Sequence, residues 1–208
     1  MPVFKIKPDP IPVVAGMKVK YKDIFDIKAF YEALFEWSKE YGWGDLMDSG
    51  GGVQSEHWET YYGERVDQKG SREIWFQWRL FKDPPHAPFL RYYLDMDFHV
   101  LGLSNAEIVR EGMKIAANKG EIEITTNTFI EKRYEKAFSK SAFLKPITSL
   151  FTERVYRKEL KQREKELYQE TYALQNFMKQ WFKLKRYLPY EEVKGFFPSY
   201  AWPSHLKE

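Results

Sequence analysis

Residues 94–101, LDMDFHVL, alternate apolar and polar side chains without a break. Side chains two apart on a strand share a face, so this stretch predicts a β-strand with Leu94, Met96, Phe98 and Val100 on one side and Asp95, Asp97 and His99 on the other. Upstream, REIWFQWRLF (residues 72–81) has the same period: Ile74, Phe76, Trp78 and Leu80 alternate with Trp75, Gln77, Arg79 and Phe81. Two such strands side by side pool one apolar face, and that face needs a cover. Amphipathic helices lie on both sides in sequence, so the expected fold class is α+β: an antiparallel β-meander of about five to six strands packed against an N-terminal amphipathic helix and a long C-terminal helix.

Working outward, HWETYYGERV (57–66) and the turn DQKGS precede the 72–81 strand, and the proline loop KDPPHAP (82–88) leads into FLRYYLDMDFHVLGL (89–103). AEIVREGMKIAA (106–117) and EIEITTNTFIEK (121–132) read as two further strands joined by a hairpin-type turn at NKG (118–120). MKVKYKD (17–23) places Lys18, Lys20 and Lys22 on one face, as suits an edge strand. Asp23 or Asp26 can cap a helix in which Phe30, Leu34, Trp37 and Tyr41 recur at helical spacing. The glycine-rich stretch GWGDLMDSGGGVQSE (42–56) lacks the Lys-Ser/Thr of a phosphate loop and reads as a loop only.

From Ile147 to Leu188 the pattern turns helical, with Leu160, Leu167, Leu174, Trp181 and Leu188 at seven-residue intervals; about 40 residues of helix would extend about 60 Å. The division is therefore an extended proline-rich arm (1–15), a sheet domain (16–133), a long basic amphipathic helix (134–188) packed on or projecting from that domain, and an extended proline-aromatic tail (189–208). Charge follows it. Residues 1–130 hold 16 Lys/Arg against 20 Asp/Glu, and residues 131–190 hold 15 against 7. The helix presents a basic surface through Arg154, Arg157, Lys158, Lys179, Lys183, Lys185 and Arg186. Its later turns and the tail offer Leu174, Phe177, Trp181, Phe182, Phe196, Phe197, Tyr200 and Trp202 as partner-binding residues.

The 208 residues include no Cys, which excludes disulfides and thiol nucleophiles and fits a cytoplasmic setting. No apolar run is long enough for a transmembrane segment. No Ser or Thr stands in a recognisable catalytic motif, so no catalytic residue and no cofactor are assigned. The ligand candidates are Arg79, Asp95, Asp97 and His99. Two readings of that row stand. Asp95, Asp97 and His99, with Glu121 or Glu123 from a neighbouring strand, could converge on a metal of unknown identity. Alternatively, Arg79, Arg110 and Lys114 could pair with the carboxylates across strands and leave an ordinary charged sheet face.

The segments YKDIFDIKAFYEALFEW, EIWFQWRL, LDMDFHVLGL and RKELKQREKELYQETYALQNFMKQWFKLKRYLP together resemble a group of archaeal proteins of unknown function, over most of residues 20–190. The order strand, helix, meander, long helix also resembles the helix-grip arrangement of START-like proteins, which implies a curved sheet wrapped on a helix around a cavity. The expected function is that of a non-enzymatic interaction or assembly protein, forming a homo-oligomer or joining a protein complex through the basic helix and the tails. The alternatives are a helix-grip pocket for an apolar or aromatic small molecule, and RNA or anionic-membrane binding by the helix.

Overall fold

The computed structural model describes residues 10–45, 58–68, 70–110, 113–139, 154 and 156–184. Six strands form one antiparallel sheet: β1 (Ile11–Phe25), β2 (Gly44–Asp45), β3 (Glu59–Val66), β4 (Arg72–Lys82), β5 (Leu90–Arg110) and β6 (Met113–Lys132). Its order is β1-β6-β5-β4, with β2 and β3 both on the far side of β4. Three helices complete the described chain: α1 (Ile27–Glu40), α2 (Arg133–Ser139) and α3 (Arg157–Trp181). The α+β reading and the antiparallel sheet are as the alternation predicts.

The inner face is built from the expected rows. Trp78, Leu80, Leu94, Met96, Ile122 and Ile124 are almost wholly shielded, and Phe76 stacks on Phe98 with ring centroids 4.2 Å apart. Burial of each such side chain stabilises the fold by about 1.5–3 kcal/mol, which makes this face the main source of cohesion. Asp26 caps α1, its carboxylate accepting from the Ala29 N–H at 3.0 Å. Phe30, Leu34 and Trp37 face inward as the spacing requires, whereas Tyr41 lies beyond the helix end and is exposed. Tyr31 meets Trp78 edge-on, and Phe35 tilts against Trp58.

Several sequence expectations are corrected. The proline arm does not reach residue 15, because β1 begins at Ile11 and pairs with β6 from Ile130 onward. Pro12 and Val14 fit because β1 is an edge strand with two register breaks there, and an edge needs no donor on its open side. NKG is no turn: the chain reverses between Arg110 and Met113, and residues 118–120 run inside β6. The physical reason lies across the ladder. Gly102, at φ +63°, puts a bulge into β5, and a Cβ at Gly120 would come within 3.1–3.2 Å of the Leu101 carbonyl and Leu103 Cα. Gly120 is a close-approach glycine.

The 134–188 helix is also corrected. Among the described residues it comprises α2 and the 25-residue α3, about 37 Å long. Its end is built, not frayed: the Leu184 N–H donates to the Lys179 carbonyl (2.7 Å), the Lys183 N–H to that of Gln180 (3.0 Å), and Lys183 takes φ +54°. This is the same paired closure that Gly42 gives α1, with a lysine where glycine is favoured. Residues 140–153 and the tail fall outside the described residues. The earlier turns of α3 pack on the domain as the later ones do, since Leu160 and Leu167 are buried along with Leu174. The heptad row then passes to Met178 and Phe182 and leaves Trp181 at 38% exposure.

Candidate functional site

The outer face of the sheet carries the row Asp95, Asp97 and His99. Antiparallel register sets Asp95 opposite Arg79, Asp97 opposite Gln77 and His99 opposite Trp75. Arg79 is the organising group. Its Nη2 donates to Asp97 Oδ1 at 2.5 Å, its Nη1 to the carbonyls of Trp78 (2.9 Å) and Met96 (3.1 Å), and its Nε lies 3.8 Å from Asp95 Oδ2. His99 turns away from the aspartates, with Nε2 3.0 Å from Glu73 Oε1 and its ring stacked on Trp75 at 5.3 Å. Glu121 and Glu123 are held by Lys18, Lys20 and Lys22 of β1, with Lys20–Glu121 at 2.5 Å and Lys18–Glu123 at 2.8 Å.

Of the three basic residues expected beside the row, only Arg79 is there. Lys114 bonds Glu107 near the hairpin tip, and Arg110 pairs with Met113 at its end. Among the described residues no three His, Asp or Glu side chains converge as metal ligands. The carboxylates instead point at cations, as a charged sheet face requires.

Asp95 stands apart within this face. Its Oδ1 is sealed from solvent and has no hydrogen-bond partner among the described residues. Burial pushes its carboxyl up to about 6, outweighing the opposite pull of Arg79, and the neighbouring Asp97 adds to the rise. Nearby, Tyr93 donates to Glu131 at 2.7 Å, and burial pushes its phenol up to about 12.

The second candidate surface is α3. Leu174 and Phe182 belong to this chain's own core, Phe177 stacks near Trp37, and Phe182 lies 4.7 Å from both Tyr21 and Phe30. Phe196, Phe197, Tyr200, Trp202, Lys185 and Arg186 fall outside the described residues. Arg154, Arg157, Lys158 and Lys183 are exposed, and Lys179 is half-buried. Sequence reasoning singled out these cations but missed their alignment. Lys158, Lys161, Lys165, Tyr168 and Tyr172 follow one another at intervals of three and four residues, so they share one face, which Lys179 continues. A helical wheel drawn for charge as well as for leucine would have found it.

The acids of α3 lie on its flanks. Arg163 binds Glu159 (2.8 Å) and Glu166 (2.9 Å), and Lys82 binds Glu170 (2.6 Å). Among the described residues Lys158, Lys161 and Lys165 have no carboxylate at ion-pair distance. Tyr168 and Tyr172 pair with ring centroids 4.6 Å apart, Tyr168 at 46% exposure. The result is a stripe of lysines with two rings set into it.

A groove of about 670 Å³ lies between α1 and β3, lined by Tyr31, Phe35 and Lys39 among others, with Lys28, Glu32, Glu36 and Glu59 giving it mixed charge. No helix among the described residues is long and apolar enough to cross a membrane. Comparison of the chain with protein-family models, with curated proteins and with solved structures returned no match.

Proposed function

We propose that this protein is a non-enzymatic docking module that binds a nucleic-acid strand along the outer face of α3. The observation that carries the reading is the segregation of charge on that helix: lysines at 158, 161, 165 and 179 align with the Tyr168–Tyr172 pair, while three of its four glutamates are tied to Arg163 or Lys82. From Lys158 to Lys179 the stripe spans about 32 Å, enough to follow several successive phosphates, and the paired rings supply faces on which bases stack. A membrane surface is the weaker partner for the same helix. Its apolar residues Leu160, Leu167, Leu174 and Met178 are already committed to the core and are not available for insertion between lipids.

A helix-grip pocket has less support. The space between sheet and helices is occupied by Trp78, Leu94, Met96, Ile124 and Leu167, and the α1–β3 groove lies at the rim. The test is fluorescence anisotropy with mixed-sequence single-stranded RNA over a salt series. Three to four engaged lysines give a log–log salt slope of about −2 to −3, and reversing Lys158, Lys161 and Lys165 to Glu abolishes binding. RNA affinity unchanged by that reversal, or binding only to anionic vesicles, would refute the proposal.

A further inference from the structure

The two edges of the sheet are built differently. On β1, Lys18, Lys20 and Lys22 line the outer face, Pro12 removes a donor, and two register breaks with Gly16 at φ +66° distort the strand. Those are the devices by which an edge avoids pairing with other chains. β3 has only one of them, a single register break at its start, between Glu59 and Tyr61. Its eight residues, ETYYGERV, contain no Lys and no Pro, and it pairs with β4 on one side only among the described residues. Tyr61, Tyr62 and Val66 are 44, 56 and 61% exposed, three of the seven exposed large apolar side chains among the described residues, gathered on this one strand.

We infer that two copies of this chain join along β3, antiparallel and centred on Gly63, so that the sheet runs on from one copy into the other. β3 is complementary to itself in that register. A two-fold axis normal to the sheet through Gly63 sets Tyr62 opposite Glu64 and Tyr61 opposite Arg65, each pair made twice, with Thr60 opposite Val66. Within one copy Tyr62 already donates to Glu64 Oε2 at 3.0 Å, and the same donor and acceptor meet across the axis. Arg65 is exposed and reaches the face of the Tyr61 ring of the other copy. Centring on Glu64 would set two carboxylates face to face, whereas Gly63 leaves no side chain at the crossing. This contact does not depend on what α3 binds.

One strand per copy makes a small interface, so the dimer dissociates in the micromolar range. Sedimentation of the full chain across that range shows a monomer–dimer equilibrium. Tyr61→Lys with Tyr62→Lys, both at exposed positions, raises the dissociation constant about tenfold or more without lowering the melting temperature. The chain has no cysteine, so single thiols map the register. Under oxidation Gly63→Cys links to its own copy, whereas Val66→Cys does not, because two antiparallel residues 66 stand about 20 Å apart. The three atoms nearest a Cβ at 63 all belong to the Tyr61 side chain, its hydroxyl at 2.9 Å, the far end of a side chain that can rotate. As a check that leaves glycine in place, mixing Tyr62→Cys with Glu64→Cys gives the mixed disulfide. A monomer at every concentration, a dimer indifferent to the two lysines, or linkage stronger at 66 than at 63 would overturn the inference.

Discussion

The two faces of β5 differ in what a side chain meets. On the inner face Met96 and Phe98 are packed in a layer that is apolar apart from the threonines of β6, and stability there is mainly a matter of shape and contact. On the outer face Asp95, Asp97 and His99 meet charges, water and the flat sides of rings, and what each contributes depends on pH and on partners. Alternation along one strand thus sets two chemistries one residue apart, a rise of about 3.3 Å. The largest expected effect lies inside. Phe98 stacks on Phe76 at 4.2 Å and meets Trp78 at 5.5 Å, so Phe98→Ala removes a ring from a packed layer. It should cost about 3–5 kcal/mol, seen as a fall in the denaturant midpoint with circular dichroism unchanged in the folded baseline.

The outer face inverts the sign at Asp95. A buried carboxyl held near 6 binds its proton more tightly folded than unfolded. Its ionisation therefore destabilises the fold: the cost is absent below about pH 4, grows between about 4 and 6, and is complete above 6. Asp95→Asn keeps the shape and removes the charge. It should raise stability by about 1–3 kcal/mol at neutral pH and by little near pH 4, and a chemical denaturation series over that range measures it. The substitution gives up only the loose approach of Arg79 at 3.8 Å, and Arg79 keeps Asp97. Equal gains at both pH values would mean that the carboxyl is not raised.

The inner face has a polar defect of its own. Thr126 is fully buried, and its Oγ1 has no hydrogen-bond partner among the described residues. Two residues on, Thr128 lies 3.3 Å from Thr171 Oγ1, which in turn donates to the Leu167 carbonyl. Thr126→Val keeps the branched shape and should add about 1 kcal/mol, whereas Thr128→Val should add nothing, because it leaves Thr171 without that neighbour. Thermal melts of the two variants side by side give the answer.

What could be read from sequence was what a strand or helix decides within itself. The alternation of 72–81 and 94–101 sets both faces, and one of the two candidate caps, Asp26, marks the start of α1. What could not be read was decided by distant partners. Glu121 and Glu123 are satisfied by lysines about 100 residues away, because β1 closes the sheet against β6. Gly120 resembles a turn glycine until the bulge at Gly102 is laid beside it. The end of α3 at Trp181 is hidden because Lys183 adopts the left-handed conformation that glycine would advertise.

The smallest effect belongs to His99, and it separates the two readings of the outer row. Its imidazole lies parallel to Trp75 and touches Glu73, both at the half-exposed surface, where an ion pair contributes between nothing and about 1 kcal/mol. Phenylalanine keeps the stacked ring and discards the bond, so His99→Phe should shift stability by no more than about 0.5 kcal/mol. If the row held a metal, a millimolar excess of Mn²⁺ or Zn²⁺ would raise the melting temperature of the parent chain and not of the variant, since a ligand stabilises only the fold that binds it. Parallel melts with and without metal, identical in the two proteins, are what a face neutralised by Arg79 and by the lysines of β1 requires.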